Sequence, residues 1–152
     1  MGQNQYLLIG GSGEAGQSAI SAIRSFDPNS YIISTTTTKE PVSNSDLTLF
    51  GKRADNGLTD AIIEDVTKEG RSLLFQALIY TPALGEVGFP IEESTKAQID
   101  ETLGICLDPM LSLEKRLQPK LTVAYSAFGC LAIGLGKNQN YPICQTGSNN
   151  FS

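Results

Sequence analysis

The chain has 152 residues, a formal net charge of −5 and a pI near 4.6, and its length suits one domain with its own core. This acidic balance argues against nucleic acid as a partner, because phosphate backbones are bound through clustered Lys and Arg. The chain has no histidine and only three scattered cysteines, which excludes His-based acid–base catalysis and disfavours a metal site. We expect a cytoplasmic protein, because no apolar run is long enough to cross a membrane and no signal peptide is evident.

The first half of the chain alternates apolar strands with helical patterns. An apolar strand is predicted near Tyr6–Ile9, and a helix follows it until a turn at residues 27–30. A second strand is predicted at Tyr31–Ser34 and is followed by a hydroxyl-rich loop over residues 35–44. A third strand is predicted at Leu47–Phe50. This alternation is typical of strands joined by helical crossovers.

The second half continues the same alternation. An apolar stripe predicts a helix over Leu58–Lys68, and the most apolar run, Leu73–Tyr80, predicts a central strand buried on both faces. A long apolar helical pattern runs from about Ser94 to Leu117. Pro109 predicts a kink or a break inside it, because proline lacks a backbone donor. The last strand that the pattern indicates is Leu121–Tyr125.

These elements predict an α/β fold with three layers. We expect a doubly wound, mostly parallel sheet with helices on both faces. One domain is expected over residues 1–152, and the polar, Gly/Asn-rich residues 134–152 are expected to form an irregular tail.

The turn between the first strand and the first helix is rich in glycine. Gly11, Gly13 and Gly16 fit the pattern G-x-G-x-x-G, in the strand–turn–helix context that a dinucleotide site requires. In that interpretation Gly11 permits the tight turn, Gly13 lets the backbone approach a pyrophosphate, and Gly16 lets the helix pack closely. The helix N-terminus would offer its amides to the phosphates, together with the intervening residues Ser12, Glu14 and Ala15. In the alternative interpretation the glycines serve only the turn.

The order of elements and the residues at their ends resemble the short-chain dehydrogenase/reductase family over nearly the whole chain. Asp55, beyond the third strand, lies where that family commonly places an acid against the adenine ring. Thr81, Pro82 and Ala83 follow the fourth strand where the family has its turn beside the coenzyme ribose. Ser126 follows the fifth strand and matches the catalytic serine. The resemblance implies a nicotinamide coenzyme, a small carbonyl or alcohol substrate, and a homo-oligomer formed through a helix like Ser94–Leu117.

The chain departs from this family at the positions of its catalytic residues. The resemblance makes Tyr141 the proton donor or acceptor, but Gln145 stands where the family has the lysine that lowers the tyrosine pKa. Pro142 disfavours the helix that this pair would need, and Cys106 stands in place of the catalytic asparagine. By this resemblance we also expect the chain to lack the sixth strand, the substrate loop and the last helices of the family's fold. We therefore expect a truncated or catalytically degraded relative.

The end of the second strand indicates which coenzyme fits. An acid about twenty residues beyond the glycines binds the ribose of NAD and would repel the extra phosphate of NADP. Thr35, Thr36 and Lys39 offer hydroxyls and a cation there instead, which favours NADP over NAD. Glu40 is the competing signal, but it lies farther into the loop. The threonine run is alternatively a solvated loop.

Two classes of function remain open. One is an oxidoreductase that moves hydride between NADP(H) and a carbonyl or alcohol, with Ser126 and Tyr141 as catalytic residues. The other is a nucleotide-binding or protein-interaction module that keeps the fold without turnover. Purely structural roles are the alternative to these functional ones: Asp55 fits a turn or a helix cap, and Cys106 fits an apolar core position.

Overall fold

The computed structural model describes residues 2–82, 95–126, 129–134 and 145–146. Its strands are β1 (Gln5–Ile9), β2 (Tyr31–Thr35), β3 (Leu47–Leu49), β4 (Ala77–Tyr80), β5 (Leu121–Ser126), β6 (Gly129–Gly134) and β7 (Gln145–Thr146). Its helices are α1 (Glu14–Phe26), α2 (Leu58–Lys68), α3 (Lys96–Cys106) and α4 (Asp108–Leu117). None of the helices within these ranges has the length and apolar character needed to cross a membrane.

The strands form one sheet in the order β3-β2-β1-β4-β5-β6-β7. The first five are parallel, and β6 and β7 are antiparallel additions. The chain builds outward from β1 to β3 and then returns to the other side of β1 with β4. The carboxyl ends of β1 and β4 therefore form the switch point, which is where open α/β sheets bind their ligands. The predicted α/β, mostly parallel fold is confirmed.

Helices cover both faces of the parallel strands. On one face α1 packs against β1, β2 and β4 through Ala19, Ile20 and Ile23. On the other face α2 and α4 pack against the sheet through Ile62, Val66, Met110 and Leu113. Because both faces are buried, the central strands read in sequence as continuous apolar runs rather than as alternating ones.

Two predicted elements are tested closely by the structure. The helix predicted over Leu58–Lys68 has these same bounds in α2. The strand predicted to start at Leu73 starts instead at Ala77. The apolar run before Ala77 does not lie wholly in the core, since Leu74 is 80% exposed, and the Gln5 side-chain amide donates to the Ser72 carbonyl at 2.8 Å just before it.

The predicted break near Pro109 is confirmed. Helix α3 ends at Cys106, and α4 begins at Asp108 with the proline in its first turn. A first-turn amide has no intrahelical acceptor, so a missing N–H is tolerated there.

The first helix of this segment lies largely at the surface. Helix α3 buries none of its residues, Ile99 and Leu103 are each 42% exposed, and Cys106 is only half-buried. The helix start is instead fixed locally by a capping box, in which the Thr95 hydroxyl accepts from the Gln98 amide at 3.2 Å. An apolar repeat thus predicted the helix but not its contact with the core.

Strands β6 and β7 were not predicted. Ser126 of β5 pairs with Gly129 of β6, and Gln145 of β7 pairs with Ala132. Strand β7 has two residues, which is too short to give a periodic signal. It lies in the segment that was expected to be irregular.

Candidate functional site

A cavity of about 730 Å³ opens at the carboxyl ends of β1, β2 and β4. Four segments form the described part of its wall: the turn after β1, the end of β2, the loop between β3 and α2, and the residues after β4. Ile105 of α3 lies on the same wall. The volume falls within the range of roughly 300–1,000 Å³ that cofactor pockets have.

All four segments that the sequence singled out reach this cavity. The predicted residues that line it are Ser12, Gly13, Thr35, Thr36, Asp55, Thr81 and Pro82. The sequence prediction missed other lining residues, namely Ile9, Gly10, Thr37, Lys52, Arg53, Ala54 and Ile105. The remaining predicted residues within the described ranges, apart from Ser126, do not line it: Gly11, Glu14, Ala15, Gly16 and Lys39.

Three further predictions concern residues beyond this wall. Ser126 is the last residue of β5, and the structure describes its backbone position only. Because Ala124 pairs with Tyr80, β5 ends at the same edge of the sheet as β4. Ala83 and Tyr141 lie outside the described residues.

The tight turn after β1 falls on Gly10, one residue before the predicted position. Gly10 has a φ of +83°, a conformation that L side chains rarely adopt. The Thr81 hydroxyl donates to the Ile9 carbonyl at 2.6 Å and so ties β4 to this turn. Gly11 is needed for another reason, since a Cβ there would lie 2.9 Å from the side chains of Ser34 and Val42.

The last two glycines of the motif differ in what surrounds them. A Cβ on Gly16 would lie 2.8 Å from Gly11 Cα, so a glycine is required for α1 to lie against the turn, as predicted. A Cβ on Gly13 would meet only the Gly10 carbonyl oxygen, at an ordinary 3.7 Å. Gly13 has an ordinary φ of −77° and lines the cavity. The packing of the described residues therefore gives no reason for a glycine at position 13.

The amides of the turn are partly engaged within the protein. The Gly11 amide donates to the Thr35 carbonyl at 2.9 Å, and the Gly13 amide donates to the Gly10 carbonyl at 3.3 Å. Within the described ranges the amides of Ser12, Glu14 and Ala15 have no acceptor. These amides, at the positive end of α1, are the ones open to an anion.

The threonines at the end of β2 form a neutral hydroxyl cluster. Thr35 and Thr36 are each 1% exposed, so the solvated-loop interpretation is wrong for them. The Thr36 hydroxyl bonds to the Ser12 hydroxyl at 3.1 Å and to the Thr38 hydroxyl at 3.0 Å. The Thr35 hydroxyl accepts from the Gly10 amide at 3.1 Å. No carboxylate is found at this end of β2, where a dinucleotide-binding acid would lie.

The loop between β3 and α2 contributes three charged residues to the wall. Lys52 forms an ion pair with Asp65 of α2 at 2.5 Å, and Arg53 is exposed. The Asp55 carboxylate accepts from the Gly57 amide at 2.9 Å, next to the start of α2. Asp55 therefore both lines the cavity and fulfils the turn role that competed with adenine binding.

Tyr80 anchors the end of α3 beside the cavity. Its hydroxyl donates to the Ile105 carbonyl, and its side chain is fully buried. Burial, reinforced by the charges of Cys106 and Asp108, raises the pKa of Tyr80 well above its ordinary value. Tyr80 therefore remains protonated and serves as a structural donor.

Comparison with known proteins adds information only at the level of structure. No family model matches the sequence, and no curated protein matches it. A 3-ketoacyl-(acyl-carrier-protein) reductase from Brucella melitensis complexed with NADH matches at a TM-score of 0.58 and 15% identity, over 75% of this chain and 48% of its own. The putative carbonyl reductase Sniffer of Caenorhabditis elegans matches at a TM-score of 0.60 and 17% identity, over 78% of this chain and 52% of its own.

A short-chain dehydrogenase from Leptospira borgpetersenii with bound NAD⁺ matches at a TM-score of 0.56 and 17% identity, over 76% of this chain and 44% of its own. The chain thus spans about half the length of the solved structures that it matches. These matches confirm the expected fold, which is the Rossmann fold of short-chain dehydrogenase/reductase structures.

Proposed function

We propose that the chain binds a nicotinamide dinucleotide in this cavity, prefers NADP(H), and moves hydride between it and a small carbonyl or alcohol. The cavity lies at the switch point of a doubly wound sheet, and turn amides without a protein acceptor lie beside it. Two proteins of the same fold are described as complexes with NADH or NAD⁺. Their coenzymes support the class of ligand proposed for this chain.

The observation on which this proposal chiefly depends is Gly13. Position 13 is the N-cap of α1, where Ser, Asp, Asn or Thr would normally stabilise a helix. A side chain would meet no close protein atom, yet the residue is glycine and it faces the cavity. Close approach of a pyrophosphate to the backbone explains this choice, and turn formation alone does not.

The preference for NADP(H) follows from charge at the end of β2. Thr36 and Thr37 line the cavity where an NAD-binding protein would present a carboxylate to the ribose. Hydroxyls neither bind the two ribose oxygens as strongly as a carboxylate nor repel a 2′-phosphate. Asp55 is the carboxylate of this wall, and it is held by the Gly57 amide. Lys39, on which the sequence argument also relied, is exposed and off the wall.

The proposed reaction assigns roles to two residues near the end of β5. When bound, the coenzyme would supply or accept the hydride. The Ser126 hydroxyl would donate a hydrogen bond to the substrate oxygen and so orient it. The Tyr141 phenol would exchange a proton with that oxygen. No cation four residues later lowers the pKa of Tyr141, so we expect slow turnover at neutral pH.

A specific observation favours the second candidate, a nucleotide-binding module without turnover. Gln145 lies in β7 and pairs with Ala132 of β6, so its backbone is extended rather than helical. A tyrosine and a residue four positions later meet on one face only in a helix. The pairing of β6 with β5 directly after Ser126 likewise differs from a parallel crossover.

Coenzyme binding is tested by titrating NADPH fluorescence against the chain and its Gly13→Val variant. We expect binding by the wild type and a Kd at least about tenfold higher for the variant, because the side chain occupies the space of the phosphates. The melting temperature of the variant should fall by no more than a few degrees. An unchanged Kd would contradict the proposed site.

Turnover separates the two candidate functions. NADPH consumption is measured with a panel of ketones and aldehydes, for the wild type and for Ser126→Ala. Consumption that Ser126→Ala reduces supports the reductase. Binding without consumption supports the module, and absence of binding of both NADPH and NADH contradicts both candidates.

A further inference from the structure

Two cations lie on the described wall of the cavity, and they differ in their contacts. The Lys52 ammonium lies 2.5 Å from the Asp65 carboxylate, and the two side chains are only 17% and 30% exposed. Its charge is already balanced by this partner. Arg53 is exposed, and within the described part of the chain its guanidinium has neither an ion pair nor a hydrogen-bond acceptor.

The backbone holds Arg53 close to the end of β2. The Lys52 amide donates to the Thr36 carbonyl at 3.0 Å, and the Thr36 amide donates to the Leu49 carbonyl at 3.0 Å. These bonds join the loop after β3 to the segment where a dinucleotide places its adenosine ribose. The Asp55 amide donates to the Arg53 carbonyl at 3.0 Å, which fixes the loop on the other side.

We propose that Arg53 is the residue that binds the 2′-phosphate of the coenzyme and selects NADP(H); this inference rests on the proposed function. A guanidinium presents paired donors that match phosphate oxygens, and it stays charged at any physiological pH. The neighbouring Thr37 is exposed on the same wall and offers a hydroxyl as a second donor. Lys39 has the same charge but lies off the wall.

The carboxylate that shares this wall forms no ion pair with Arg53. Asp55 lies two residues away on the same wall, and its Oδ1 is held at 2.9 Å by the Gly57 amide. No ion pair joins Asp55 to a cation of the described chain. The guanidinium is therefore left to a ligand anion.

The test uses two small probes that differ only by the phosphate, adenosine 2′,5′-bisphosphate and 5′-AMP. Calorimetric titration measures both with the wild type, with Arg53→Gln and with Lys39→Gln, which makes the same change in net charge. We expect the wild type to bind the bisphosphate more tightly. Arg53→Gln should raise the Kd of the bisphosphate roughly tenfold or more and leave that of 5′-AMP unchanged, because a charged hydrogen bond is lost.

Lys39→Gln should keep the preference for the bisphosphate. The inference is overturned if the wild type binds both probes equally, if Arg53→Gln weakens both equally, or if Lys39→Gln removes the preference as fully as Arg53→Gln. Each of these outcomes leaves the proposed coenzyme site standing. Failure of both probes and of NADPH to bind would overturn the proposed function as well.

Discussion

The two ends of the parallel sheet treat their polar groups in opposite ways. At the amino end, the Gln5 side chain donates to the Ser72 carbonyl at 2.8 Å and accepts from Arg71 at 3.1 Å. The guanidinium of Arg71 also lies 3.5 Å from the centre of the Tyr31 ring. The Tyr6 hydroxyl donates to the Asp27 carboxylate at 3.0 Å. These side chains connect β1 and β2 to the segment before β4 and to the end of α1, and they close this end of the core.

At the carboxyl end, hydrogen bonds within the chain shape the cavity wall but leave its inner surface open. The amides of Ser12, Glu14 and Ala15 and the guanidinium of Arg53 have no acceptor within the described residues. Without a ligand these groups hydrogen-bond to water, which adds nothing to the stability of the fold. The difference indicates that the amino end serves folding and that the carboxyl end is available to a ligand.

The largest effect is expected from Gly16→Val at the carboxyl end. A Cβ there would lie 2.8 Å from Gly11 Cα, so the variant should lose about 3 kcal/mol of unfolding free energy. Urea denaturation followed by circular dichroism measures the loss. Gly13→Val is the matched control, because it makes the same chemical change in open space. Equal losses in both variants would show that the turn, rather than a ligand, requires every glycine.

A smaller effect is expected from Gln5→Ala at the amino end. Gln5 is only 5% exposed, so its removal leaves the Ser72 carbonyl and the Arg71 guanidinium without this hydrogen-bond partner at a buried position. The variant should lose about 2 kcal/mol of unfolding free energy. The same urea assay measures it. The Gln5→Glu variant separates the two hydrogen bonds, since it keeps the acceptor for Arg71 and removes the donor to Ser72. A loss below about 0.5 kcal/mol in Gln5→Ala would contradict the structural role of this end.

The sequence could predict the parts of this fold that repeat a local pattern. Continuous apolar runs indicated β1, β2 and β4, and the apolar stripe of α2 gave its bounds, because burial imposes these patterns directly. The exposure of α3 could not be predicted, since its four-residue apolar spacing fits a core helix equally well. The two-residue β7 has no period at all.

The site residues that belong to a local sequence motif could be predicted, whereas those that strand pairing brings to the cavity could not. The strand–glycine–helix context located the turn, although only the observed φ of Gly10 shows which residue bends the chain. Lys52 and Arg53 were missed because the sequence prediction singled out only Asp55 in their loop. They reach the cavity through the pairing of Thr35 with Leu49, a contact between strands that spacing along the chain does not reveal.

The smallest effect is expected from Tyr6→Phe, and it separates hydrogen bonding from packing at the amino end. Burial foremost, and then Asp27, raises the pKa of Tyr6 to about 12. The folded state thus holds this proton more tightly than the unfolded chain does, so the stabilisation is complete below pH ~10 and is lost as the pH rises through ~12. The variant should lose about 1 kcal/mol at pH 7 and show a shallower decline in unfolding free energy from pH ~10 to ~12. Parallel curves for wild type and variant would mean that the Tyr6 ring, and not its hydroxyl, holds β1 to the end of α1.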